Sequence, residues 1–128
     1  MHSAFHSALD TVIIMLYYSN SLSRTSIKKL SKVQLKQQAL VLKVADALEQ
    51  QARAEIPGML QCWFDVEYHL FPGSLLLCFQ FENDQALKAA EPHLLKWQKR
   101  LSAAMLKKGV ILKDMRKHLT FTLKGPED

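Results

Sequence analysis

The chain has 128 residues, nearly half of them hydrophobic and 23% charged, so it can bury one sizeable core and is not composed like a disordered segment. The net charge of +5 is unevenly spread. Residues 22–45 carry six positive charges and no negative one, residues 46–91 eight acidic against two basic side chains, and residues 96–124 nine Lys or Arg against Asp114 alone. A basic segment of this kind favours anionic partners, nucleic acid first, and the competing explanation is a solvated helix face.

Apolar residues at Phe5, Ala8, Leu9, Val12, Ile13 and Leu16 have the spacing of one helix face, although Val12-Ile13-Ile14 also permits a strand. The run Thr11 to Tyr18 is too short to span a membrane, and the N-terminus lacks the charge and cleavage pattern of a secretory signal. The expected location is therefore cytoplasmic. Ser19 to Ser26 reads as a polar connector, and residues 1–25 as an N-terminal helix or arm preceding a single α+β domain over 26–124.

A long helix is expected from Ser26 or Ser31 to about Ala54. Val41, Val44, Ala45, Leu48 and Ala52 form its apolar stripe, and Lys36, Lys43, Asp46, Glu49, Gln50 and Arg53 fall elsewhere on the wheel. Pro57-Gly58 ends it. Leu60, Cys62, Phe64, Val66, Tyr68 and Leu70 then alternate with Gln61, Trp63, Asp65, Glu67 and His69, the period of a half-buried strand. Phe71-Pro72-Gly73-Ser74 reads as a turn into a second strand, Leu75 to Glu82, completing an antiparallel hairpin.

Asn83 or Asp84 suits the cap of a following helix that runs to about Lys108. Its apolar stripe is Leu87, Ala90, Leu94, Trp97, Leu101 and Ala104. Pro92 inside that pattern must kink the helix or begin a second one, and Gly109 is the expected stop. A last strand covers His118 to Lys124, with Leu119, Phe121 and Leu123 inward and His118 and Thr120 outward. Residues 125–128 read as a flexible tail. The fold class is thus α+β, in the order α-α-β-β-α-β, with a three- or four-stranded antiparallel or mixed sheet and long helices on one face.

Three sets of residues could carry function. The basic group Lys96, Lys99, Arg100, Lys107, Lys108, Lys113, Arg116 and Lys117 would suit a phosphate backbone; the first three share one side of a helix. Trp63 sits among polar residues, where either the N-terminal helix covers it or it contacts a partner. Asp65, Glu67, His69 and His118 could form a ligand-binding or acid–base face, although no metal-ligand spacing, phosphate loop or nucleophile elbow accompanies them, so no catalytic residue, metal or cofactor is implied. Cys62 and Cys78 lie in apolar strand runs and read as buried thiols.

From about Val41 to Leu123 the element order resembles a type II KH-like domain, nearest the ribosome-binding factor A family. The likeness rests on Phe81-Glu82-Asn83-Asp84, Ala86-Leu87-Lys88-Ala89, the basic helix through Arg100, and Leu119-Thr120-Phe121. The GxxG loop of KH domains is absent, Pro92 breaks the helix earlier than the family's small-residue kink, and Met115-Arg116-Lys117 stands where that family has a proline. The resemblance implies binding of RNA or the small ribosomal subunit through the basic helix. Two other functions follow from the residues themselves. One is a protein-interaction or homo-oligomeric role through Val12 to Tyr18 and the Trp63 face. The other is a small enzyme or ligand binder using the polar sheet face.

Overall fold

The structure, a computed structural model, describes residues 29–128. The expected N-terminal helix, the Ser19–Ser26 connector and the apolar stretch from Val12 to Tyr18 lie outside the described residues. The chain divides into two compact units, Met1–Leu42 and Lys43–Asp128.

In the first unit, Ser31 starts helix α1, Lys32–Glu55. Ser31 Oγ accepts from the Gln34 N–H at 3.1 Å, and Gln34 Oε1 accepts from the Ser31 N–H at 2.9 Å. This reciprocal capping box satisfies two backbone donors that the first helical turn leaves open. Of the two proposed starts, Ser31 is the one that caps.

The second unit contains the rest of α1, the sheet and two further helices. Val44, Ala45, Leu48 and Ala52 are all buried, as the stripe requires. The helix gives way to Pro57-Gly58, where Gly58 has φ +82°. A Cβ there would stand 2.5 Å from the Ala86 Cβ, so both the backbone angle and the close approach require glycine.

Strand β1 is Met59–Asp65 and β2 is Leu76–Phe81. They pair antiparallel, with Cys62 opposite Phe79 and Trp63 opposite Cys78. The register shifts between Met59 and Gln61. That bulge corrects the expected alternation: Met59 is buried and Leu60 exposed, and the period of two holds only from Cys62 onward. The strand also ends earlier than its sequence pattern. Ser74 Oγ accepts from the Glu67 N–H at 2.9 Å and donates to the Glu67 carbonyl oxygen at 2.8 Å, taking both backbone groups out of any ladder. A 3-10 turn follows at Tyr68–Leu70. Val66 and Tyr68 are still buried, so the alternation there reports burial without a strand.

Asn83 caps helix α2, Asp84–Ala90, its Oδ1 accepting from the Ala86 N–H at 2.8 Å. Pro92 then lies in a 3-10 turn, Glu91–His93, before helix α3, Leu94–Lys107. Proline lacks the N–H that a continuous helix would use and fits the first turn of a new one. Gly109, with φ +84°, closes α3. Its N–H bonds the Leu106 carbonyl and the Val110 N–H bonds the Met105 carbonyl, both at 2.9 Å, the paired bonds of a Schellman stop.

The crossover through α2 and α3 returns the chain as β3, Leu119–Thr122, parallel to β2. The sheet is therefore mixed, in the order β1-β2-β3. The described order is α-β-β-α-β, with the second helical element split at Pro92. On the core face Leu75, Leu77, Phe79 and Phe81 are buried. Trp97 of α3 meets Phe79 edge-on at 5.6 Å, and Phe121 stacks on Phe79 at 5.8 Å. Each fully buried side chain of this size contributes about 1.5–3 kcal/mol. Along α3 the stripe drifts from the expected Ala104 to Met105, which is buried with Trp97 and Leu101. The last four residues, read from sequence as a tail, close a turn in which Asp128 Oδ2 accepts from the Gly125 N–H at 2.7 Å.

Candidate nucleic-acid interface

The basic residues of α3 fall in two groups. Lys96, Lys99 and Arg100 stand in its first half, while Lys107 and Lys108 stand at its end, where cations complement the partial negative charge of the last carbonyls. Lys113 follows in the segment beyond Gly109. Arg116 and Lys117 occupy a 3-10 turn, Met115–Lys117, directly before β3.

Gln98 joins that turn to α3. Although polar, it is only 6% exposed. Its Nε2 donates to the Arg116 carbonyl oxygen at 3.3 Å and to the Leu119 carbonyl oxygen at 3.1 Å. The turn also holds itself, since Asp114 Oδ1 accepts from the Arg116 N–H at 3.2 Å. Arg116 and Lys117 are thereby fixed against the stretch of α3 that carries Lys99. Both are exposed, as is Lys99. Sequence spacing placed Lys96, Lys99 and Arg100 together; the tie of the Arg116–Lys117 turn to α3 depends on Gln98, which sits between Trp97 and Lys99 and has no sequence signal of its own.

These cations differ in their partners. Glu55, the last residue of α1, accepts from Arg100 at 2.9 Å and lies 3.6 Å from Lys96 Nζ. The Arg100 guanidinium also covers Trp97, 4.3 Å from the ring centroid. The hydrogen bond from Arg100, reinforced by the charges of Arg100 and Lys96, holds the Glu55 carboxyl below the usual carboxylate range. Arg116 Nε is 3.5 Å from Asp114. Lys99, Lys107, Lys108, Lys113 and Lys117 have no ion pair among the described residues.

The polar set expected on the sheet is placed differently. Asp65 is exposed at the end of β1, and Glu67 and His69 lie beyond the strand, paired in solvent at 3.4 Å. His118, expected to face outward, is 4% exposed. Its Nδ1 sits 2.8 Å from the Leu75 carbonyl oxygen, an acceptor, so that nitrogen carries the proton and pins β3 to the start of β2. Among the described residues no group of three or more His, Cys, Asp or Glu could hold a metal ion.

Trp63 is half-buried beside Cys78, and its Nε1 donates to the Lys124 carbonyl oxygen at 3.1 Å, so its polar edge is used by the chain following β3. Cover by the N-terminal helix would involve residues outside those described. Cys62 and Cys78 are buried free thiols. Burial pushes Cys62 well up, with Glu49 adding to it, and pushes Cys78 up to about 12, so neither is a ready thiolate nucleophile.

Sequence reading also missed Glu49, which is buried at 5% despite lying off the apolar stripe. Its Oε2 accepts from the Cys62 N–H at 2.8 Å. β1 is an edge strand of the sheet, and this bond satisfies a buried backbone donor there. Burial raises the Glu49 pKa, and the Cys62 N–H and Arg53 only partly offset that.

No helix of the described residues is long and apolar enough to cross a membrane. Comparisons with models of protein families, with curated proteins and with solved structures found no match to this chain.

Proposed function

We propose that this protein is a non-catalytic nucleic-acid-binding module of the cytoplasm, with RNA as its polymer. It holds the phosphate backbone on α3 and the Arg116–Lys117 turn. The observation that carries this reading is the Gln98 tie, which holds the backbone of the Arg116–Lys117 turn against α3, one residue from Lys99. Lys99 and Lys117 have no ion pair among the described residues, so their charge is available to phosphate. The KH-like element order from Val41 to Leu123 agrees with this use of the basic helix.

Recognition of this kind is dominated by counterion release and carries little sequence information. Binding to a labelled pool of single-stranded and hairpin RNA should weaken about tenfold or more between roughly 50 and 200 mM salt. Lys99→Glu/Lys117→Glu should weaken it further at low salt. Salt-independent binding, or an unchanged affinity in the double variant, would rule the patch out.

A further inference from the structure

Three features set Arg100 and Lys96 apart from the other cations of α3. First, their shared partner is in an electrostatically unfavourable place. Glu55 is the C-terminal residue of α1, where the helix carbonyls already carry partial negative charge. Its attachment to Arg100 and Lys96 compensates for that position. Second, the Arg100 guanidinium is pre-oriented by its seat on Trp97, a ring with no exposed surface. Third, Glu55 and Lys96 line an open pocket of about 480 Å³ whose other walls include Gly58, Glu82 and Ala86, so a group arriving from solvent has room to reach Lys96 and its partner Glu55.

A guanidinium held in one orientation presents its donors to carboxylate and phosphate oxygens alike. We infer that Glu55 occupies, in the free protein, the place that a phosphate of the bound strand takes on Arg100 and Lys96. Glu55 is thus a built-in competitor that sets the affinity of the surface. This rests on α3 being a nucleic-acid face, and it adds the reason that two of its cations are engaged before binding. On binding, the strand exchanges its phosphate for the Glu55 carboxylate, and Glu55 moves to water.

The test is binding of a labelled RNA hairpin to the full chain, followed by anisotropy across a salt series. Glu55→Gln removes the competing charge and should bind about three- to tenfold more tightly at low salt. Its log–log salt slope should steepen by at most about one, because wild type releases one carboxylate to be screened by salt on binding and the variant releases none. Glu127→Gln removes the same charge from the exposed end of the chain and should change affinity less than about twofold. Glu55→Gln/Arg100→Gln should lose the gain. Equal effects of Glu55→Gln and Glu127→Gln, or a gain that survives in the double variant, would overturn the inference. If Lys99→Glu/Lys117→Glu weakens binding while Glu55→Gln matches wild type, only the competition fails. If neither wild type nor Glu55→Gln binds the hairpin, the nucleic-acid reading and the competition fall together.

Discussion

Glu49 and Glu55 are the same side chain, less than two turns apart near the end of α1, and their surroundings shift them in opposite directions. Glu49 is buried and accepts from the Cys62 backbone N–H, and the loss of water outweighs that bond and the charge of Arg53, so its carboxyl is pushed up. Glu55 stays in contact with water and gains two cations, so pairing dominates and its carboxyl is pulled down. A buried carboxylate next to an edge strand serves packing and backbone satisfaction. An exposed one that bridges two cations affects the charge a partner meets. Both are glutamates near the end of a helix whose pattern marks them simply as polar.

The largest expected effect comes from removing the ring beneath Arg100. Trp97→Ala empties a fully buried site and should cost about 3–5 kcal/mol of stability, measured by urea unfolding. It should also take Glu55 toward the ordinary carboxylate range, because Arg100 loses its seat. A cost near zero would mean that Trp97 does not organise the core. Next, Glu49→Ala leaves the Cys62 N–H without its acceptor and should cost about 1–3 kcal/mol. Glu49→Gln keeps an acceptor oxygen and removes the buried charge, so at pH 8 it should be no less stable than wild type. If Glu49→Gln is as damaging as Glu49→Ala, then the charge itself is required and the comparison breaks.

The smallest effect is in the pH dependence, and its sign differs for the two residues. A raised carboxyl binds its proton more tightly when folded, so Glu49 makes stability fall as pH rises from the ordinary carboxylate value through the raised one. A lowered carboxyl does the reverse: Glu55 contributes stability above the ordinary value that is lost as pH falls through the lowered one. In stability–pH curves, Glu49→Gln should flatten the upper slope and Glu55→Gln the lower. Exchange of those two results would show that burial and pairing have been assigned to the wrong residues.

Much of the described architecture was legible in the sequence because it depends on local chemistry. Ser31, Asn83, Pro92 and Gly109 act where they do through the hydrogen bonds or φ angles that their own side chains or backbones allow. The alternation after Pro57 correctly announced a strand, but it ran on past the strand's end. Alternating burial continued through Val66 and Tyr68 after Ser74 had taken the backbone of Glu67. Of the candidate site, the row Lys96, Lys99 and Arg100 was readable from helical spacing. The burial of His118 and the use of Trp63 were not, since each depends on a carbonyl far along the chain: Leu75 for one, Lys124 for the other.

By itself, then, the sequence determined the described helices and their ends, the hairpin and the concentration of positive charge after residue 95, all set by interactions within a turn or two of chain. Only the tertiary structure decided which charges are free. Gln98 brings Arg116 and Lys117 to α3, Glu55 engages Lys96 and Arg100, and Glu49 is withdrawn into the core. The physical reason is that ionic and hydrogen-bond partners are chosen by distance in space, and the Glu55–Arg100 pair spans 45 positions of sequence.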